Sequence, residues 1–225
     1  MVVSFLPQDS LGTSLVSLTK GFVQTQKTDC KSPRTIEYYE GSLKRFLWYV
    51  DQEKLPDDAR LITQWNIREF LAYVSGETNR WGLSGNGSET SRNRASYSTV
   101  HHYYCVLKAF FNWCVREDYL QISPLDKIKL ANPKLNVIQP YTPQEIERML
   151  TVCETDFRNN AKFIGSRNKA IILMLFDSGL RVSELAGIKL EEVDTEKGWI
   201  KVKGKGAKEK VLGLAVQHKR LYGDI

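Results

Sequence analysis

No stretch of this sequence approaches the roughly 20 consecutive apolar residues that a helix needs to cross a bilayer. The N-terminus also lacks the charged segment and sustained apolar run of an export signal. The expectation is a cytoplasmic protein without a membrane partner. Cysteine is scarce, at Cys30, Cys105, Cys114 and Cys153, with no C-x-x-C pair and no histidine cluster at ligand spacing. That argues against a zinc site, and no metal or other cofactor is expected. Cys105 and Cys114 stand nine positions apart in one expected helix, too far along its axis for a disulfide, so all four read as reduced thiols. No internal repeat is visible.

What is present is basic charge and helical periodicity. Lys and Arg exceed Asp and Glu by 32 to 26, a net +6 with a pI near 9.0, which suits a polyanionic partner but equally suits a solvated basic surface. From Leu11 to about Thr28, Leu15, Leu18, Phe22 and Val23 recur at helical spacing. A second helix starts after Ser32, an N-cap followed by Pro33 at the first helical position. It places Ile36, Tyr39, Leu43, Phe46, Leu47 and Val50 on one face, with Arg34, Lys44 and Arg45 opposite. Thr63 caps a third helix carrying Ile67, Phe70, Leu71 and Val74. Periodicity stops between Ser75 and Ala95, a Gly/Ser/Asn/Thr stretch holding Arg80, Arg92 and Arg94 that reads as a loop. A long helix resumes near Ser98 with the richest apolar stripe of the chain and fades at Ser123-Pro124. Four helices with aromatic seams predict a small all-α domain, followed by a linker of Pro and Asn composition over 131–140.

Thr142-Pro143-Gln144-Glu145 combines a capping box with proline at the first helical position and opens a second domain. The apolar run from Ala170 to Phe176 predicts a buried helix ended by Gly179. A short helix carries Arg181 to Ala186. Two strands, 198–203 and 209–214, flank a Gly204-Lys205-Gly206-Ala207 turn. The expected class is mainly α, with 1–130 a helical domain, 131–140 a linker, and 141–225 an α+β segment.

The informative run is Ser178-Gly179-Leu180-Arg181-Val182-Ser183-Glu184-Leu185, followed 24 residues after Arg181 by the glycine-flanked Lys205. This arrangement resembles the tyrosine recombinases, the Xer and phage integrase branch. In that family a Gly-Leu-Arg-x-Ser-Glu-Leu turn supplies a catalytic arginine and a β-hairpin lysine a second cation. The resemblance extends to the N-terminal half, which is similar to the family's SAM-like core-binding domain. It implies duplex DNA as partner, a homo-oligomer or a full-length recombinase as companion, Arg181 and Lys205 as catalytic cations and Glu184 as a supporting acid.

Elementary chemistry runs beside that implication. A guanidinium holds two phosphate oxygens with parallel charge-assisted bonds, which suits Arg181; the plainer reading is an i,i+3 pair with Glu184. Lys205 at a hairpin tip suits protonation of a leaving 5′ hydroxyl, or is a solvated turn lysine. Arg34, Lys44, Arg45, Arg80, Arg92, Arg94, Lys203 and Lys208 suit phosphate contacts, or are solvated charge.

The resemblance also implies a His-x-x-Arg helix and a late tyrosine nucleophile, and only 20 residues follow Lys205. His218 has its arginine at the wrong offset, and Tyr222, 41 residues after Arg181, is too near it to be that nucleophile. Without a nucleophile no phosphotyrosine intermediate forms, and the C-terminal half is expected to be less cooperative than the helical half. Three readings stay open: a recombinase-derived clamp that does not cleave, a regulatory DNA-binding protein, and a helical protein-interaction module.

Overall fold

The computed structural model describes residues 12–77, 94–134, 137–159, 161–204 and 209–213. The chain divides into two compact units, Met1–Asn136 and Val137–Ile225.

The first unit is built from α1 (Leu15–Thr28), α2 (Pro33–Gln52), α3 (Gln64–Gly76) and α4 (Tyr97–Arg116). Each helix starts on a hydroxyl cap: Ser14, Ser32, Thr63 and Ser96 accept from the backbone N–H three residues on. Such caps satisfy one of the four amides that a helix start leaves without a partner. The Ser14 hydroxyl also donates to Asp57 Oδ2 at 2.7 Å, tying the start of α1 to the loop after α2. Three helix ends adopt the left-handed conformation without glycine, at Cys30, Lys54 and Asp118. At each, the next amide reaches back to a carbonyl five residues earlier, the Schellman closure.

The apolar stripes meet in one aromatic core, with Phe22, Phe46, Phe70, Phe110 and Phe111 all fully buried. Their rings meet edge to face, Phe46 on Phe70 at 5.1 Å and Phe22 on Phe110 at 5.7 Å, a geometry that adds attraction beyond buried area. Gly21 makes room for the Trp113 ring: a Cβ there would lie 3.2 Å from it. The chain after α4 folds back over the bundle, held where the Tyr104 hydroxyl donates to the Ile128 carbonyl at 2.8 Å.

The second unit contains α5 (Pro143–Arg158), α6 (Lys162–Ser178), α7 (Val182–Ala186) and strands β1 (Val193–Asp194), β2 (Trp199–Lys203) and β3 (Glu209–Gly213). The strands form an antiparallel sheet in the order β1-β2-β3, with Lys203 opposite Glu209. Thr142 and Glu145 close the capping box of α5 as the sequence predicts. α5 and α6 approach closely at Gly165, where an added Cβ would sit 2.5 Å from the Cys153 carbonyl oxygen.

Among the described residues the core of this unit is thin: Leu180, Ile200 and Val202 are buried together, with Met174, Leu175, Ile188, Val193 and Leu212 packed partly against them, and Cys153 is buried apart from that cluster. The expected burial of 170–176 is not found, since Ile171 is 39% and Phe176 58% exposed. Among the described residues α6 packs chiefly on α5 and touches α7 and the sheet only near its C-terminal end, which cannot cover every side of an apolar helix. The observed architecture is mainly helical throughout, and among the described residues no helix is long and apolar enough to cross a membrane.

Candidate nucleic-acid interface

The arginine turn is built by three successive constraints. Gly179 ends α6 in the left-handed conformation, φ 61°, which glycine adopts without steric cost. Leu180 then anchors the turn in the core. Arg181 follows as the N-cap of α7 in extended backbone, so its side chain leaves the turn at a fixed point.

Glu184 is the positioning group. Its carboxylate accepts from the Arg181 backbone N–H at 3.0 Å and from Arg181 Nη1 at 2.8 Å. The Glu184 side chain is only 9% exposed, whereas that of Arg181 is 71% exposed. The bonds from the Arg181 amide and guanidinium hold the Glu184 carboxyl below the usual carboxylate range, with Lys210 on β3 adding to the effect. One edge of the guanidinium is therefore fixed by a nearly buried anion while the remainder faces solvent. That is how a cation is preorganised for an external anion. The plainer reading of Arg181, the i,i+3 pair with Glu184, is present, and it leaves most of the guanidinium exposed.

Lys205 and Lys208 lie outside the described residues, as do Arg80, Arg92, His218 and Tyr222. Lys203 lies 3.3 Å from Glu192, in the short turn just before β1, so its charge is partly answered. Lys201 pairs with Glu209 at 2.7 Å. Lys210, which the sequence leaves among generic strand lysines, is the described hairpin cation that acts on the Arg181–Glu184 pair.

In the helical unit the expected cations separate. Arg34, Lys44 and Arg94 are exposed. Arg45 is not simply surface charge: its Nη1 donates to the Tyr103 hydroxyl on α4 at 2.7 Å. Arg34, Lys44 and Arg45 all lie on the exposed side of α2, as expected, and adjacent positions there differ by about 100°. Arg34 and Arg45 share a stripe with Tyr38, and Lys44 lies to one side of it.

Sequence periodicity misses the seam between α2 and α4. His102 packs its ring on Tyr38, centroids 3.7 Å apart, and its Nε2 lies 3.2 Å from the Ser42 hydroxyl. Burial, then the nearby Arg45, hold the His102 imidazole below its ordinary pKa. The available signal was two adjacent histidines on the outer side of an aromatic helix. Among the described residues no three His, Cys, Asp or Glu side chains gather as metal ligands.

Two family models match the chain: the phage integrase family over residues 140–222 and the phage integrase N-terminal SAM-like domain over residues 18–121. This chain belongs to the tyrosine recombinase (phage integrase) family. It is 30% identical over 202 residues to tyrosine recombinase XerC of Thermodesulfovibrio yellowstonii, covering 88% of this chain and 56% of that protein. It is also 30% identical over 193 residues to tyrosine recombinase XerD of Staphylococcus saprophyticus, covering 86% and 57%. The chain thus spans somewhat over half the length of these curated relatives. Among solved structures, the fold is similar to a lambda integrase tetramer bound to a Holliday junction, with TM-score 0.66 and 14% identity, covering 100% of this chain and 61% of that one. It is also similar to XerH recombinase bound to a palindromic difH substrate, TM-score 0.60 and 21% identity, covering 94% and 56%. At these identities the structural likeness speaks for the fold, the SAM-like helical domain followed by the start of a catalytic domain.

Proposed function

We propose that this chain takes part in site-specific recombination by binding duplex DNA through both units, and that residues 1–225 taken alone do not cut it. The helical unit, residues 1–130, lays Arg34, Lys44 and Arg94, together with Arg80 and Arg92, along phosphates. A linker over 131–140 joins it to 141–225, where Arg181 holds a phosphate and Lys203, Lys205 and Lys208 supply further cations to the same DNA. The observation that carries the reading is the Arg181 turn, an exposed guanidinium aimed by a nearly buried carboxylate. Support comes from the family and from the neighbours, a lambda integrase on a Holliday junction and XerH on difH. Such proteins act as assemblies, and the companion here is a second copy or a full-length recombinase on the same cytoplasmic DNA.

Binding and cleavage place different demands on the chain: cations stabilise charge on a phosphorane, but the covalent step needs an attacking tyrosine. Two measurements test the proposal. Fluorescence anisotropy with a labelled duplex is expected to show affinity falling linearly with the logarithm of salt, each phosphate contact adding about one unit of slope. Arg34→Ala and Lys44→Ala each reduce the slope by about one. Binding indifferent to salt would favour the helical protein-interaction module instead. Incubation with nicked duplex substrates is expected to give no covalent protein–DNA adduct, and a trapped adduct would overturn the non-cutting half of the reading.

A further inference from the structure

Gly41 stands in the middle of a 20-residue helix, where glycine costs about 1 kcal/mol relative to alanine. Internal packing does not explain it, since a Cβ added there meets nothing within 4 Å. The helical period puts Gly41 on the same stripe as Arg34, Tyr38 and Arg45. A bare backbone flanked by cations and a phenol is what a ligand needs to approach a helix closely. The next residue, Ser42, bonds to His102 across the seam.

We propose that the α2–α4 seam around Gly41 seats one phosphate of the bound duplex, and that His102 takes up a proton as the phosphate arrives. The proposal rests on the DNA reading above and adds a site and a proton linkage to it.

The groups facing His102 are Tyr38, Ser42 and Arg45 from α2 and Tyr103 from its own helix α4. Cys105, also on α4, acts on the Tyr38 ring from the same side. Of these, Arg45 is the charge acting on the imidazole, and a neighbouring cation opposes protonation. Burial opposes it further, so the ring is neutral near pH 7 in the free protein. Tyr38 keeps its phenolic proton, its pKa pushed up to about 12 chiefly by burial, and stays a hydrogen-bond donor.

A phosphate reverses the balance. Its negative charge offsets Arg45 and favours the imidazolium. Protonated, both ring nitrogens are donors. Nε2–H then donates to the Ser42 oxygen, and the serine hydroxyl proton is free to donate outward to a phosphate oxygen. In the neutral tautomer whose Nε2 accepts from Ser42, that proton is committed to the ring. Binding therefore consumes one proton, and affinity rises as pH falls.

The test is anisotropy with a labelled random-sequence duplex at constant ionic strength, using the full chain. The wild type is expected to bind about tenfold more tightly at about pH 5.5 than at about pH 7.5, a window in which histidine is the side chain whose ordinary pKa lies. His102→Gln keeps a polar side chain but cannot charge, and is expected to lose the pH response while keeping most of the salt slope. His101→Gln, one position away, is expected to retain the response. Gly41→Ala is expected to raise the thermal midpoint of the helical unit yet weaken binding several-fold, a combination that a merely structural role would not give. A pH response that survives in His102→Gln, or Gly41→Ala binding as tightly as wild type, overturns the seat. A wild type without salt-sensitive binding at any pH overturns the DNA reading itself, so the two failures are distinguishable.

Discussion

The two units hold themselves together by different means. The helical unit buries five phenylalanines completely in one contiguous core, whereas the C-terminal unit buries Leu180, Ile200 and Val202 and leaves Phe163 73% and Phe176 58% exposed. Hydrophobic stabilisation grows with apolar area removed from water, at about 25 cal/mol per Å². The first unit is therefore held by side chains, and the second leans on local devices: a capping box, a glycine turn, a three-stranded sheet and surface ion pairs. The short, exposed turn that carries Arg181 is held by devices of this second kind, the left-handed Gly179 and the bonds to Glu184.

The largest effect that separates them is core truncation. Phe110→Ala removes a ring that touches Phe22, Phe111 and Trp113 and is expected to cost the helical unit about 3–5 kcal/mol. Urea unfolding followed by tryptophan fluorescence measures it. Loss of less than about 1 kcal/mol would mean that the unit tolerates a cavity and is less tightly packed than described.

Next is the tightest glycine contact among the described residues of the C-terminal unit. Gly165→Ala forces a methyl into the Cys153 carbonyl and the Phe157 backbone, so α5 and α6 must separate, at about 1–3 kcal/mol. Hydrogen exchange is the readout: amides of α6 are expected to exchange faster than in the wild type while those of α4 keep their rates. Coupled loss in α4 would break the picture of two separately stabilised units.

Acid sharpens the contrast by a smaller amount. In the C-terminal unit Glu145, Glu154, Glu184 and Glu192 all have carboxyls held below their ordinary range, by bonds from Thr142, Lys169, Arg181 and Lys189 respectively. A carboxylate with a lowered folded pKa contributes stability that is present above its unfolded pKa and lost as pH falls through the folded one. In the helical unit Asp58, bonded by Arg60, behaves alike. His102, with its base form favoured by burial and Arg45, loses stability for the fold as pH drops below the ordinary histidine value. With the thinner core and four such acids, the C-terminal unit is expected to melt first as pH falls from about 5 to about 3. Near-ultraviolet circular dichroism against pH checks the order of loss.

Much of this was legible in the sequence where the signal is local. Ser32-Pro33, Thr63 and Thr142-Pro143 mark helix starts because a cap acts within three residues, and the arginine turn was readable because Gly179, Arg181 and Glu184 lie within one short bend. The start of α6 was not readable: Ala161 makes no side-chain cap bond, so nothing at Lys162 announces it. β1, two residues long, is too short for any periodicity to mark. The Arg45–Tyr103 bond and the Ser42–His102 contact join residues 58 and 60 positions apart, and only the packing of α2 on α4 creates them. The exposure of Ile171 and Phe176 was missed for a related reason, since an apolar run states what a helix prefers and not what is there to cover it.

The smallest effect concerns how helices end. α6 stops on Gly179 at φ 61°, while α4 runs into Asp118 at the same φ of 61°. A side chain in this region costs roughly 1–2 kcal/mol that glycine avoids, though glycine also gives up more chain entropy on folding. A Cβ at Gly179 meets nothing within 4 Å, so Gly179→Ala measures the conformational cost alone and is expected to lose about 1 kcal/mol in the C-terminal unit. Asp118→Gly is expected to gain a little under 1 kcal/mol in the helical unit, because the Tyr119 amide still closes onto the Cys114 carbonyl at 2.9 Å. Thermal melts of the two variants should move in opposite directions. Should Asp118→Gly lower the midpoint, the aspartate side chain itself would be holding that turn, and the helical unit would share the reliance on local devices here assigned to its neighbour.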